Sequence, residues 1–304
     1  MTSVLRRRLC ACLVLGALIV GRSINIPVGY DDVGGSPWVN FTMADFGKEN
    51  ETMPMMLTFD YRNEVGYPCS QNVPAFLQTS NGERFPITDR LMSCNSREGS
   101  ISSLTLRRNR WIRNSFGPIA FTGSDLILNA SREEFLSSCD LGTNMTVMMH
   151  HVDTGDKFRA NIFSDDGEFY AADGLEIQIR SLTDRMIGLI PTQLYDLIGD
   201  KLYRQGAGRL EFMAPFSNVA NNCSPSMLES LPRIVYQFGN IQQLVLDPQD
   251  YIEYSVENMT CALRLRNAAT VVGLPRPAYF FNPLMIKGLN FRISNDVFEL
   301  CDSN

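Results

Sequence analysis

The chain has 304 residues, 44% of them hydrophobic and 20% charged, which suffices for one or two ordinary globular cores and excludes a disordered polymer. A formal net charge of −6 with only 27 Lys and Arg gives no general electrostatic ground for nucleic-acid binding. The one basic run, Arg107-Arg108-Asn109-Arg110, reads as a solvated loop face.

In chain order, Arg6-Arg7-Arg8 precede the apolar segment Leu9 to Val20 and the small residues Gly21 and Ser23. A basic head before a short apolar run is the pattern of a secretory signal peptide, so residues 1–23 are expected to be removed, the alternative being a retained anchor. No later segment approaches the length of a membrane-spanning run. Cys10 and Cys12 leave with the signal, and Cys69, Cys94, Cys139, Cys223, Cys261 and Cys301 remain. An even number in an oxidising compartment predicts three disulfides, among fifteen connectivities that sequence does not separate. Asn-X-Ser/Thr sequons at Asn40, Asn50, Asn129, Asn144, Asn222 and Asn258 add the expectation of N-glycosylation and an extracellular or lumenal location.

Short segments with period-two alternation, such as Val39–Met43, Leu175–Ile179 and Asn290–Ile293, predict a mainly β chain. A hairpin is expected over Val147–Phe163, turning at Asp153-Thr154-Gly155-Asp156. Two helices stand out. Ser131–Ser138 is opened by Ser131 with Glu133 and Glu134 in its first turn. Thr192–Arg204 follows Pro191, precedes Gly206 and aligns Leu194, Leu197, Ile198, Leu202 and Tyr203 on one stripe. The polar turn Ser164-Asp165-Asp166-Gly167 marks the expected boundary between an N-terminal lobe, 24–165, and a C-terminal lobe, 166–304.

Between Cys223 and Cys261 run Leu231-Pro232-Arg233-Ile234-Val235-Tyr236-Gln237-Phe238-Gly239 and Leu244-Val245-Leu246-Asp247-Pro248-Gln249-Asp250-Tyr251-Ile252. This stretch resembles the C-terminal-lobe signature of the pepsin-like aspartic proteases. Ile190-Pro191-Thr192 with Tyr195 and Leu197, and the tail Val271-Val272-Gly273-Leu274-Pro275, Asn290–Ile293 and Val297–Leu300, extend the likeness from about residue 167 to the end. The resemblance implies a bilobal acid-protease fold with barrel-like lobes, the N-terminal one shortened. It also implies the pair Cys223–Cys261, which leaves Cys69–Cys94 and Cys139–Cys301 if neighbours join.

The likeness breaks where that family does its chemistry. Met55-Met56-Leu57-Thr58-Phe59-Asp60 resembles the run into the first catalytic loop, with Asp60 on the first aspartate and Tyr67 on the family's Trp, but Tyr61-Arg62 replaces Thr-Gly. Counting back from Pro191 puts Leu182-Thr183-Asp184 on the second triplet, so Leu182 takes the place of the second aspartate; with two residues deleted, Asp184 takes it and Arg185-Met186 replaces Thr-Gly. Two carboxylates must share one proton, one as general base to water and one as donor to the carbonyl. An arginine beside a lone aspartate holds it ionised and removes that state. Residues 97–113 offer no flap tyrosine, only Gly99-Ser100 and Trp111, and Asp153-Thr154-Gly155 lies too near Leu182 to be a triplet of its own lobe. Too few residues separate Ser23 from a strand at Trp38–Met43 for an inhibitory prosegment.

His150 and His151 are adjacent and point to opposite strand faces, so they share no metal, and no nucleotide or metal motif is present. No cofactor is expected. The sequence is therefore read as a secreted, glycosylated pseudoprotease, a monomer binding a peptide or protein, without nucleic acid and without a membrane span after signal cleavage. The alternatives are an active divergent endopeptidase using Asp60 and Asp184, and a structural glycoprotein.

Overall fold

The computed structural model describes residues 22–30, 37–45, 48–59, 75–78, 81–82, 84–87, 92–95, 100–105, 117–152, 155–181, 186–213, 217–270, 279–294 and 296–304, with backbone only in parts of 41–105, 151–155, 172–173 and 212–217. The N-terminal apolar segment, Asp60, Tyr67, Cys69, Trp111, Leu182 and Asp184 lie outside these residues.

The described strands form one 12-stranded sheet, one 8-stranded sheet and one 4-stranded sheet. The first begins at Ile24–Tyr30, which pairs antiparallel with Pro37–Asp45 on one side and Asp125–Leu128 on the other. The chain is thus already in a sheet directly after Ser23, ahead of the strand expected at Trp38–Met43. Pro37–Asp45 pairs with Lys48–Thr58, which runs parallel to Ser100–Thr105. In the other direction Ile119–Phe121 joins Leu289–Ser294, then Val297–Asp302, then Met145–Met148. The last strands of the chain therefore sit in the same sheet as its first.

The 8-stranded sheet is ordered around the long hairpin Gly155–Ser164 and Tyr170–Ile179. Its tight turn, at the expected lobe boundary, closes on Ser164, whose Oγ accepts from Phe169 N–H at 2.9 Å, with Gly167 at φ +77°. Residues of that turn join two strands of one sheet. The hairpin anticipated around 153–156 forms between His150–Val152 and Gly155–Ser164, with Val152 opposite Gly155. Asp153 and Thr154 themselves lie outside the described residues; Met145–Met148 pairs elsewhere, with Val297–Asp302.

Barrel closure, which the resemblance implied, is absent from the described strands: the sheets run edge to edge. Met145–Met148 is an edge of the first sheet. Its Thr146 N–H donates to the side-chain Oε1 of Gln242 at 3.2 Å, so a side chain takes the edge donor that strand pairing would have used.

Helix Thr192–Arg204 forms where the apolar spacing places it. Leu194, Ile198 and Leu202 are buried, while Tyr203 turns to solvent. Arg132–Ser137 is capped by Ser131, whose Oγ accepts from Glu134 N–H at 3.0 Å.

Strand Leu289–Ser294 departs from the alternation read in its sequence, because it is buried on both faces. One face joins the main core, and the other meets a smaller cluster of Ala120, Ile127, Ala130, Phe135, Cys139 and Cys301 under the Arg132–Ser137 helix. Its polar residues are therefore internal. Asn290 Nδ2 donates to Ser138 O at 2.8 Å. Arg292 donates through Nε to Ala130 O and through Nη1 to Glu299 Oε2 at 2.5 Å, and Glu299 Oε1 accepts from Arg132 Nε at 2.6 Å. At 1% exposure Glu299 is a buried carboxylate held by two guanidinium groups.

Disulfides join Cys139 to Cys301 and Cys223 to Cys261, with Cα separations of 5.5 and 5.8 Å. Cys69 lies outside the described residues, and the side chain of Cys94 with it.

Candidate active-site region

Two strands lead into the two places where the catalytic loops are expected. Lys48–Thr58 ends at Phe59, the residue before Asp60. Tyr170–Ile179 ends at Arg180-Ser181, directly before Leu182. Each gains a parallel neighbour at its exit: Met56–Thr58 beside Ser103–Thr105, and Ile177–Ile179 beside Tyr279–Phe281. Parallel partners hold both exits inside their sheets, so the chain leaves each from a covered position.

The two exits touch. Phe59 N–H donates to Ser181 Oγ at 3.0 Å, and both residues are buried. Their separation is 122 residues, equal to that from Asp60 to Leu182. The hydrogen bond therefore pairs the position before Asp60 with the position before Leu182.

An aromatic run fixes the first exit. The Phe59 ring lies 5.6 Å from Phe291, which stacks on Phe121 at 5.3 Å and meets Phe298 at 6.1 Å. Phe298 continues to Phe158 at 6.0 Å, and Phe158 to Phe281 at 6.1 Å. The rings thus extend from the first exit to the strand that flanks the second.

On the far side of residues 182–185 the chain is tied again. Ile187 N–H donates to Arg264 O at 2.8 Å, and Ile187 O accepts from Asn282 N–H at 2.6 Å. Asn282 Nδ2 also donates to Met186 O at 3.3 Å. Gly188 is required by close approach: a Cβ there would stand 2.2 Å from the carbonyl oxygen of Phe280. Residues 182–185 themselves lie outside the described residues, between Ser181, bonded to Phe59, and Met186-Ile187, bonded to Asn282. The Arg180 guanidinium lies over the Phe280 ring at 5.0 Å.

The positions of Asp60, Leu182 and Asp184, and of Arg62 and Arg185, lie outside the described residues. Sequence reasoning missed Ser181 and Asn282. Ser181 had a usable signal, since it directly precedes Leu182 as Phe59 precedes Asp60. Asn282 had none, because its role depends on strand order.

The histidines are not part of this region. His150 Nε2 lies 3.1 Å from Glu176 Oε2, and Lys157 Nζ bonds the same carboxylate, on a solvent-facing part of the hairpin sheet. Those bonds, first from Lys157 and then from His150, hold the Glu176 carboxyl below its usual range despite a smaller opposing effect of burial. Among the described residues no group of three metal-ligating side chains occurs. No described helix is long and apolar enough to cross a membrane.

Of the sequon asparagines with described side chains, Asn40, Asn222 and Asn258 are exposed and Asn129 and Asn144 half-buried.

No family model matches the chain, and no curated protein is found as a relative. Solved structures do match. Aspartic proteinase from Irpex lacteus is similar with a TM-score of 0.57 at 11% identity, over 93% of this chain and 98% of that one. Basic 7S globulin from soybean is similar with a TM-score of 0.55 at 9% identity, over 93% and 97%. Conglutin gamma, a basic 7S globulin from lupine seeds, is similar with a TM-score of 0.58 at 9% identity, over 93% and 95%. These likenesses and the sheet architecture give the chain a mainly β, two-lobed fold of the pepsin-like aspartic proteinase type.

Proposed function

We propose that the protein is a secreted or lumenal, N-glycosylated pseudoprotease that binds a peptide or protein through the surviving cleft of a pepsin-like fold. The observation that carries this reading is the hydrogen bond from Phe59 N–H to Ser181 Oγ. It favours the ungapped correspondence, in which the partner of Asp60 is Leu182, an aliphatic side chain that can neither share a proton nor activate water. Tyr61-Arg62 in place of Thr-Gly supports the same conclusion. The proposed lobes, 24–165 and 166–304 behind a signal at 1–23, divide within the hairpin Gly155–Ser164 and Tyr170–Ile179, whose sheet they share. The protein acts as a monomer, without cofactor, nucleic acid or membrane span. Two disulfides and six sequons support the secretory route.

One observation favours the second reading, an active endopeptidase using Asp60 and Asp184. Asp184 stands three residues after Ser181, whose Oγ accepts from the N–H of Phe59, the residue before Asp60. Incubation of the secreted protein with a peptide library at acid pH, with and without pepstatin, separates the two. The pseudoprotease shows no pepstatin-sensitive cleavage above its Asp60→Ala variant. Cleavage lost on Asp60→Ala and on Asp184→Ala overturns that reading.

A further inference from the structure

The two sequons Asn222-Cys223-Ser224 and Asn258-Met259-Thr260 are far apart in sequence but share one end of the small sheet Glu211–Met213, Ser217–Asn221, Thr260–Leu263 and Ile252–Ser255. Cys223 N–H donates to Met259 O at 2.9 Å, which joins the residue after one sequon asparagine to the residue after the other. Both asparagines are exposed, and Val256 and Met259 beside them are exposed apolar residues, at 76% and 56%. The Cys223–Cys261 disulfide closes the base of this end. Its first cysteine is the central residue of the Asn222 sequon, and its second directly follows the Asn258 sequon.

We propose that Asn222 is an N-glycan acceptor whose use is set by the redox state of Cys223: it is modified while Cys223 is a thiol and closed to modification once the disulfide forms. This rests on the secretory reading above. The acceptor asparagine must present its amide on an extended, accessible chain, with the hydroxyl two residues on available to the transferring enzyme. In the folded end the chain at Asn222 is not extended, and the Ser224 hydroxyl has a neighbour of its own. Asn222 has a left-handed backbone, φ +57°. Ser224 stands at the N-cap position of the short helix Pro225–Leu228 without a side-chain capping bond, and its Oγ lies 2.9 Å from Ser226 Oγ. Modification therefore has to precede closure.

The two reactions compete for the same residues. In the first, Asn222 Nδ2 bonds to C1 of a lipid-pyrophosphate-linked oligosaccharide, the C1–O bond breaks, and the amide proton leaves with the lipid pyrophosphate. In the second, the Cys223 and Cys261 thiols give two electrons and two protons to a carrier disulfide of an oxidoreductase, which becomes a dithiol. Cys261 follows Cys223 by 38 residues. At about 5–20 residues per second, that leaves roughly 2–8 s in which Asn222 is in the lumen and Cys261, the partner of Cys223 in the fold, is not. Disulfide formation starts on the scale of seconds, so closure overtakes a fraction of the chains.

The test is site occupancy by mass spectrometry after deglycosylation in heavy-oxygen water, on protein expressed in secretory cells. Two arms delay closure: a Cys261→Ser variant, and the unaltered chain labelled during brief exposure to a membrane-permeant reductant. Occupancy is read on total cell protein, so a variant retained for misfolding still reports. The expected result is partial occupancy of Asn222 in the unaltered chain and a rise in both arms, with Asn40, whose sequon neither contains nor adjoins a cysteine, unchanged. Equal occupancy of Asn222 in all samples, whether full or empty, overturns the inference while a filled Asn40 leaves the secretory reading standing. Empty sequons throughout remove both.

Discussion

Phe59 and Ser181, 122 residues apart, are joined by a hydrogen bond from a buried backbone N–H to a buried hydroxyl at 3.0 Å. A side chain, rather than a sheet ladder, holds the two strand exits together. Ser181→Ala leaves the Phe59 N–H without its acceptor in a dry setting, which costs about 1–3 kcal/mol. The urea midpoint falls accordingly, and Ser181→Thr, which keeps the oxygen, recovers most of the loss. An unchanged midpoint for Ser181→Ala would show that the junction contributes nothing.

The buried Glu299 carboxylate gives a second, larger effect. Glu299→Ala strands the Arg292 guanidinium, at 10% side-chain exposure, and is expected to destabilise by about 3–5 kcal/mol. Replacing both members with apolar residues, Arg292→Met with Glu299→Leu, costs much less than Glu299→Ala alone. The comparison is made by thermal unfolding of the two variants, and equal losses would refute it.

The turn that joins Gly155–Ser164 to Tyr170–Ile179 carries a pH dependence. Burial acts to raise the Asp166 carboxyl, but bonds from Ser164 and Lys201 outweigh it and hold the group below its usual range. Lys201 Nζ lies 2.9 Å from Asp166 Oδ2. With its folded value depressed, Asp166 contributes stability that is present above its unfolded value, near ~3.9, and lost as pH falls through the folded one. Lys201→Met therefore lowers stability at neutral pH and flattens its decline in acid. A parallel downward shift of the whole curve would contradict this.

The two disulfides differ in reach. Cys139–Cys301 spans 162 residues and Cys223–Cys261 spans 38, so chain-entropy reasoning assigns about 5 and about 4 kcal/mol. Double Ser variants of each pair, compared by denaturant unfolding under non-reducing conditions, should both be strongly destabilised. The Cys139/Cys301 variant should be the weaker of the two.

Elements whose signals are local were legible in the sequence. Thr192–Arg204 announced itself through Pro191 and the spacing of Leu194, Ile198 and Leu202, and Ser131 announced its helix by its capping oxygen. Leu289–Ser294 was legible as a strand, but not its burial. Asn290 and Arg292 look like a solvent face until Glu299, Ala130 and Ser138 are brought against them from other elements. The same limit applied to the candidate site. Asp60 and Leu182 could be aligned by spacing, whereas Ser181 gains meaning only once two distant strands end side by side. Barrel closure was inferred from likeness, and the Gln242 side chain on an edge strand cannot be recognised from the sequence alone.

Placement of Leu289–Ser294 between Ile119–Phe121 and Val297–Asp302 has a consequence for how the chain is made. The strand that begins the sheet, Ile24–Tyr30, is among the first parts of the fold to leave the ribosome, and the strands that complete it are among the last. Two of the sheet's most distant pairings, Ile119–Phe121 with Leu289–Ser294 and Met145–Met148 with Val297–Asp302, must wait until synthesis has passed residue 302, while the unfinished sheet shows an open, hydrogen-bonding edge at Ile119–Phe121. Completion of this sheet is therefore post-translational and slow, because its closing contacts are distant in sequence, and the uncovered edge is an aggregation hazard in the interval.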